Sequence, residues 1–440
     1  MQCLVTQWIQ WQYQNIRTRQ NKNRDICMKN VRLGFIGAGF IAQFLAEAMK
    51  QVRGCELSAI YERSGAEQLA AFARDNRLGD PVLCSTIAEM VEHCDALVIL
   101  SPNYTRIQVM QEIAEACASE KSRVSAVMCE KPLGRNLQEA RKMQALADSA
   151  GLKTAYLENQ LHMAAINQAI AQLEPQQKSN GHFTLARSTE EHGGPHNGWF
   201  WDPVLQGGGV LSDMGCHSIA VCRHILTPPG KALDFLEPVS IQCDVALLKW
   251  GQSPYREKLL QRYGVDYSKT PAEDFATGII TFRNPETGQR VKGQFTDSWM
   301  YDKQGLRLSM DALGPGYAFE VNTLVSPLEI FIGDEAVEGV ADAEAALEKA
   351  TASRGLLAVQ PNEPYLYGYV NELQDAVDAF AQGKNAMLDW QYGVQINLLV
   401  QAAYMAAEQG KTLDLTDSAV LQALESYESL IASGKGAEVL

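Results

Sequence analysis

The stretch "VRLGFIGAGFIAQFLAEAMK", Val31 to Lys50, decides the fold. It opens with a short apolar run, turns on glycines, and continues with apolar residues at helical spacing. Gly37, Gly39 and Ala42 stand in a G-x-G-x-x-A pattern directly between that strand and that helix. The first glycine permits the tight turn, the second lets the backbone approach a pyrophosphate, and the small third residue lets helix and strand pack closely. The backbone of Gly37, Gly39, Phe40, Ile41 and Ala42 would then present free N–H groups and the positive end of a helix dipole to phosphates. Taken alone, a glycine turn explains the pattern equally well. Its flanking strand and helix favour the nucleotide.

A second requirement is an acid about 20 residues on, at the end of the next strand. "AIYERS" supplies Glu62 at that place. A carboxylate there accepts from ribose hydroxyls and repels a 2′-phosphate, which favours NAD. Arg63 and Ser64 follow at once and would suit a 2′-phosphate, so they leave NADP open.

Working outward, strands and helices alternate: "CELSAIYE", "AEQLAAFARDN", "TIAEMVEH", "DALVIL", "RIQVMQEIAEACAS", "RVSAVMCEKP", "NLQEARKMQALADSAG" and "LKTAYLEN". Such alternation predicts a parallel, doubly wound α/β sheet covered on both faces. Beyond about Glu158 the pattern changes to longer alternating stretches, "SIQCDVALLKW", "DFATGIITFRN", "RVKGQFTDSW" and "RLSMDALG", with "NPETG" as a hairpin turn. These predict a large, mostly antiparallel open sheet. Helices follow in "YGYVNELQDAVDAFAQG" and "GVQINLLVQAAYMAAEQG", each ended by glycine. "DEAVEGVADAEAALEKATASRG" reads as a charged surface excursion. The expected organisation is residues 28–157 for the nucleotide and 158–440 for substrate and self-association.

Composition sets bounds. The chain has 440 residues, 46% hydrophobic and 20% charged, as in a soluble globular protein of two or more domains. A formal net charge of −14 argues against nucleic acid or an anionic membrane as partner. No apolar run of about 18 residues predicts a membrane span. Ten cysteines are scattered without a CxxC pair, many in apolar contexts such as "VMCEK", which points to a reducing, cytoplasmic setting and to neither a disulfide framework nor a metal site. The Gln/Asn-rich residues 1–27 lack a signal-peptide core and read as a disordered extension or an early start, with Met28 a natural first residue.

A further stretch raises a chemical question. "QGGGVLSDMGCHSIA", Gln206 to Ala220, sets Asp213 and His217 four residues apart behind three glycines. On a helix this spacing puts both on one face.

At "CEKPLGRN" the sequence resembles the Gfo/Idh/MocA oxidoreductases. The resemblance runs from the glycine fingerprint through "LSPNYTRIQV", "CEKPLGRN", "GGGVLSDMGCHSI" and "AEDFATGIITF" to "GYVNELQDAVDAF". It implies a Rossmann domain followed by an α/β domain whose open sheet mediates homodimers or homotetramers. It also implies a cofactor site that includes Ser101, Pro102, Asn103 and Glu130, with Lys131 beside nicotinamide and substrate hydroxyl. Asp213 and His217 are implied in proton transfer. The chemistry is coherent: a histidine near neutrality takes the O–H proton, a carboxylate one turn away orients it or binds a neighbouring hydroxyl, and an ammonium stabilises alkoxide charge. The family often has a histidine four residues after the proline of "SPNYTRIQV"; Arg106 stands there instead.

Two other segments are candidates for the substrate cleft. "YLENQLHM" carries Glu158, Asn159 and His162. "STEEHGGPHNGWFWDP" carries His192, His196, Trp199 and Trp201, with the tryptophans offering flat faces to a sugar ring or packing beneath the helix. Glycines and a proline between the histidines argue against a metal pair.

The expected activity is NAD(P)-dependent hydride exchange with a secondary hydroxyl of a sugar, cyclitol or related polyol. One alternative is glycoside cleavage through tightly bound NAD and transient oxidation, which begins with the same step. Another is a sensor of sugars or nucleotides without turnover, disfavoured by the presence of Lys131, Asp213 and His217 together.

Overall fold

A computed structural model describes residues 30–62, 65–302, 305–324, 328–332, 355–359 and 362–440. Arg63 and Ser64, the segment 1–29, and all but the last residue of the charged stretch 334–355 lie outside the described residues.

The first sheet is built from β1 (Val31–Ile36), β2 (Cys55–Tyr61), β3 (Val82–Leu83), β4 (Ala96–Ile99), β5 (Ala126–Glu130) and β6 (Lys153–Leu157). All pairs are parallel, in the order β3-β2-β1-β4-β5-β6. Leu33, Phe35, Leu97, Val98, Ile99, Val127 and Met128 are fully enclosed. Their strands read as continuous apolar runs because helices cover both faces. Those helices are α1 (Phe40–Met49), α2 (Ala66–Asp75), α3 (Ile87–Met90), α4 (Arg106–Cys117) and α5 (Leu137–Ser149). Asn136 starts α5 by accepting from the Glu139 N–H at 2.9 Å, a cap that contributes about 1 kcal/mol. The chain winds outward from β1 to β3, then returns to β4 on the other side. A crevice opens at that reversal, beyond the carboxyl ends of β1 and β4.

The second sheet takes β7 (Leu185–Glu191), β8 (Glu237–Ala246), β9 (Phe275–Arg283), β10 (Arg290–Ser298), β11 (Arg307–Gly314), β12 (Tyr317–Asn322) and β15 (Leu413–Asp414). Its order is β12-β11-β7-β10-β9-β8-β15. Only β7 and β10 run parallel; the other pairs are antiparallel, including the β9–β10 hairpin across the Asn284–Gly288 turn. β13 (Leu328–Ile332) and β14 (Gly355–Val359) form a separate antiparallel pair. Alternation along β9 sends Ala276, Ile280 and Phe282 into the core, while Ile279 is exposed on the open face.

Helix α6 (Cys216–Leu226) packs on β7 and β10. The helix α7 (Tyr369–Ala381) lies against α1, and α8 (Trp390–Glu408) against both β8 and α5. Polar ties fix α8 to the first sheet: Trp390 Nε1 donates to Ala155 O at 3.0 Å, Asn397 Nδ2 to Gly134 O at 2.7 Å, and the Leu137 N–H to Gln401 Oε1 at 2.7 Å. These bonds set the crevice of the first sheet against the helix and loops that lead out of the second.

Candidate active site

The nucleotide end of the crevice is built by short-range chemistry. Gly37 has φ of +118°, and a Cβ there would lie 3.1 Å from the Leu100 backbone, so a side chain is both strained and crowded out. Gly39 begins α1, and a Cβ on it would meet nothing within 4 Å. That open space faces the first N–H groups of α1, as a pyrophosphate requires. Ala42 is wholly buried, closing α1 onto the sheet, while Phe40 and Ile41 line the cleft. Glu62 directly follows β2 at the same cleft, with Oε2 accepting from the Ala38 N–H at 3.3 Å. The glycine cradle, helix N-terminus and strand-end acid together fit a dinucleotide.

Ser101, Pro102 and Asn103, at the end of β4, also line the cleft. The Asn103 amide donates to Gln206 O at 2.9 Å and Oε1 at 3.0 Å, tying the end of β4 to the loop that precedes Asp213. Arg106, the residue in place of the family's histidine, is buried. Its guanidinium donates to Glu130 O at 2.6 Å, Lys131 O at 3.3 Å and Ser101 O at 3.2 Å, and to Pro132 O. It gathers the carbonyls of the Glu-Lys-Pro turn and so aims the backbone that carries Lys131.

Lys131 reaches across to the second half of the molecule. Its Nζ donates to Asp213 O at 2.7 Å and Asp213 Oδ1 at 3.1 Å, leaving one ammonium proton for a substrate oxygen. Burial is the largest single influence and works against the ammonium, but Asp213 together with Cys216, Glu190 and Glu130 outweighs it, so the Lys131 pKa is raised and the charge is kept. Glu130 is pushed up to about 7 by burial, against the opposing pull of Lys131 and Arg106.

His217 sits near the start of α6, and its Nδ1 contacts Glu158 Oε1. Of the two roles expected for Asp213, orienting His217 or binding a neighbouring hydroxyl, the first falls to Glu158, directly after β6, which contacts Nδ1, while Asp213 is paired with Lys131. Burial, the largest influence, lowers the His217 pKa, but the charge and hydrogen bond of Glu158 together with the charge of Glu190 more than reverse this and the net direction is upward. With Nδ1 engaged, Nε2 is the ring nitrogen left for a substrate proton.

The three glycines before Asp213 are required by close packing. A Cβ on Gly207 would meet the Arg135 backbone at 2.6 Å, on Gly208 the Tyr404 hydroxyl at 2.0 Å, and on Gly209 the Glu273 carbonyl at 2.2 Å. The close approach is thus to protein. Glu273 Oε1 accepts from Gly209 N and Leu211 N, each at 3.0 Å, and from the Tyr404 hydroxyl at 2.6 Å. Tyr404 in turn accepts from Gly209 N at 3.1 Å and Ser212 N at 3.2 Å. A buried carboxylate and a phenol therefore satisfy the N–H groups at the start of a π-helical turn, Leu211–Gly215, that runs into α6. Glu273 is pushed up to about 7 by burial, partly offset by the Tyr404 hydrogen bond.

The remaining sequence candidates divide. Asn159 and His196 line the cleft, the first donating to Tyr367 O at 2.7 Å and the second packing on the Phe40 ring at 4.9 Å. Trp199 lines it too, stacked on Phe200 at 3.8 Å. Trp201 does not offer a face to a ligand: it is buried against Trp250 and Trp299, so it packs as core. His162 is not among the cleft residues; it lies buried, lowered to about 3 by desolvation and then by His224. His192 accepts from the Gly194 N–H at 2.9 Å within its own turn. Among the described residues no group of three or more His, Cys, Asp or Glu is arranged to hold a metal ion. No described helix is long and apolar enough to cross a membrane.

Comparison with known proteins follows this geometry. The model of an oxidoreductase family with an NAD-binding Rossmann fold matches residues 31–157, and that of the GFO/IDH/MocA C-terminal domain matches residues 176–312. The chain is 28% identical over 398 residues to a D-glucoside 3-dehydrogenase of Escherichia coli K12, spanning 88% of this chain and 97% of that one. It is 29% identical over 208 residues to a 1,5-anhydro-D-fructose reductase of Ensifer adhaerens; the match spans 46% of this chain and 59% of the reductase. Among solved structures, GenD2 from gentamicin A biosynthesis, in complex with NAD, superposes with a TM-score of 0.68 at 20% identity, over 89% of this chain and 98% of that one. A putative myo-inositol dehydrogenase from Sinorhizobium meliloti 1021 gives 0.63 at 18% identity, over 88% and 100%. At these identities the superpositions speak for the fold alone.

Proposed function

The chain belongs to the Gfo/Idh/MocA oxidoreductase family, and from that premise we propose that it oxidises or reduces a secondary carbinol of a sugar, cyclitol or related polyol. The observation that carries this reading is the convergence of Lys131, Asp213, His217 and Glu158 at the end of a cleft that begins at the glycine cradle.

Gly37, Gly39 and the first turn of α1 would hold the pyrophosphate, and Glu62 the adenosine ribose. When bound, NAD supplies the hydride acceptor. The chain's own residues handle the proton and the developing charge. Lys131, held charged by Asp213, donates its remaining N–H to the substrate oxygen and lowers the cost of alkoxide character. His217 Nε2 takes the hydroxyl proton, and Glu158 on Nδ1 stabilises the imidazolium that results. Asp213 acts on Lys131 and presents its carboxylate to a neighbouring hydroxyl. Asn159, His196 and Trp199 would contact the rest of the substrate. In this reading residues 28–157 serve the nucleotide and 158–440 the substrate, the open face of the second sheet pairs two or four copies, and the enzyme works in the cytoplasm.

The test is NADH formation, with product analysis, across sugars, cyclitols and glycosides. Stoichiometric NADH supports the dehydrogenase; products without net NADH would move the assignment to bond cleavage through transient oxidation. Lys131→Ala and His217→Ala are each expected to lower turnover by roughly 100-fold or more while NAD affinity, measured by calorimetry, stays close to that of the wild type. Near-normal turnover in either variant refutes the site.

A further inference from the structure

We propose that the substrate is an uncharged sugar carrying a second ring through a glycosidic bond, and that this second ring lies on an aromatic platform formed by Trp199, Phe200 and Tyr104. The inference rests on the hydride-transfer reading above and names its substrate class.

The short 3-10 turn Gly198–Trp201 divides its aromatics between two destinations. Trp201 turns inward and is enclosed by Trp250 and Trp299. Trp199 and Phe200 turn into the cleft, where both stay partly exposed. Their rings stack at 3.8 Å with an interplanar angle of 25°. Tyr104 stands edge-on to Trp199 at 6.5 Å, lines the same cleft, and is 43% exposed. The stacked pair and the edge-on Tyr104 thus keep outer ring surface wet in the cleft, although the core that takes Trp201 begins two residues away. Leaving such area wet forgoes roughly 25 cal/mol per Å², and covering it with a flat ring recovers that term. A pyranose offers an apolar C–H face and an aryl group offers a π face; both are flat, and both stack on indole.

The platform is also in the right place. Tyr104 follows Asn103, whose amide is bonded to Gln206 just before the glycines that lead to Asp213. Trp199 belongs to the loop entering that same segment. The aromatic surface therefore lines the same cleft as Lys131, Asp213 and His217, and a ring linked to the oxidised sugar would reach it.

Charge in the cleft argues against a phosphorylated sugar. At the substrate end its lining carboxylates are Glu190 and Asp213, the second already paired with Lys131. Among the described lining residues the permanent cations are Arg106 and Lys131. Arg106 is spread over four carbonyls and Lys131 is paired with Asp213. A phosphate dianion would give up its water to face carboxylates.

The test presents glucose, galactose and mannose each as free sugar, phenyl glycoside, disaccharide and 6-phosphate, and reads kcat/KM for NADH formation. The ring-bearing forms are expected to lead by about tenfold and the 6-phosphates to rank last. Comparison of phenyl glycoside with disaccharide identifies which kind of ring the platform takes. Trp199→Ala should lower kcat/KM for ring-bearing forms about tenfold more than for the free sugar, with Trp199→Phe restoring most of the difference. Equal kcat/KM for free and ring-bearing sugars, preference for a 6-phosphate, or an equal loss across the panel in Trp199→Ala overturns the proposal. If no sugar yields NADH, the hydride-transfer reading fails, and calorimetry of the phenyl glycosides with NAD-loaded protein decides the platform separately. Binding that weakens about tenfold in Trp199→Ala upholds it; no binding overturns it.

Discussion

Two buried glutamates lie under the segment that carries Asp213 and His217, and they differ in what they touch. Glu273 uses one carboxylate oxygen for Gly209 N, Leu211 N and the Tyr404 hydroxyl, while its other oxygen has no hydrogen-bond partner among the described residues. Glu158 uses one oxygen for His217 Nδ1, and its other oxygen likewise has none. Burial is the same. The partners are not: backbone N–H groups never titrate and Tyr404 is held far above its ordinary range, by burial first and by Glu273 second, whereas His217 changes protonation in the proposed reaction. One carboxylate fixes a shape; the other supports a proton transfer. What the acid touches, not how deeply it is buried, separates architecture from chemistry.

The largest expected effect breaks the architectural half. Glu273→Ala leaves the Leu211 N–H and the Tyr404 hydroxyl without an acceptor in a closed space, while Gly209 N keeps Tyr404, which costs on the order of 3 kcal/mol of stability. Denaturant titration should show that loss, and the folded fraction should keep the wild-type pH dependence of turnover. A stable variant with a displaced pH profile would erase the distinction between the two glutamates.

The next effect tests the chemical half. Glu158→Gln removes the charge that raises the His217 pKa and lets an amide N–H occupy Nδ1, which favours the tautomer that cannot accept a proton at Nε2. For alcohol oxidation, kcat should fall roughly 100-fold with KM little changed. The base must be unprotonated, so its active form appears only above its pKa. Wild-type activity should therefore rise at a pH above the ordinary histidine value of about 6.5, and in Glu158→Gln that limb should move to lower pH. An unmoved acid limb, measured from kcat/KM between acidic and mildly alkaline pH, would return Glu158 to a purely structural role.

The contrast also explains what the sequence disclosed. The β1–α1 turn was legible because its requirements are local: Gly37 needs positive φ, Gly39 needs an absent side chain, and Ala42 needs to be small. The alternation of strand and helix, the hairpin at Asn284–Gly288 and the Lys131, Asp213 and His217 constellation were legible for similar reasons or through family motifs. The supports beneath them were not. Glu158 meets His217 across 59 residues, Glu273 meets Gly209 across 64, and Arg106 meets Glu130 across 24. Periodicity carries no information about such pairings. Trp199 and Trp201 look alike in sequence, yet one turn of 3-10 helix sends one to the cleft and the other to the core. His162 was misplaced for the same reason, since the segment after β6 bends and only part of it faces the cleft.

Arg106 offers the finest test of the comparison, because it is a charged group that, like Glu273, touches backbone. Its guanidinium spans the carbonyls of Glu130, Lys131 and Pro132, and it also reaches Ser101. A planar fork with five donors can do this from one position, whereas a lysine ammonium cannot reach all four. Arg106→Lys keeps the positive charge near Glu130 and removes the fork. If the residue acts through geometry, Lys131 loses its aim and kcat/KM falls by roughly tenfold, the equivalent of one or two lost hydrogen bonds, with the pH profile unchanged. If it acts through charge instead, Arg106→Lys should be close to wild type, and only Arg106→Gln should lower turnover and displace the profile through Glu130 and Lys131. The first result places Arg106 with Glu273 as a group that shapes the backbone under a reacting side chain; the second places it with Glu158. The two outcomes differ in which variant is impaired, so kinetics of the pair across pH decides between them.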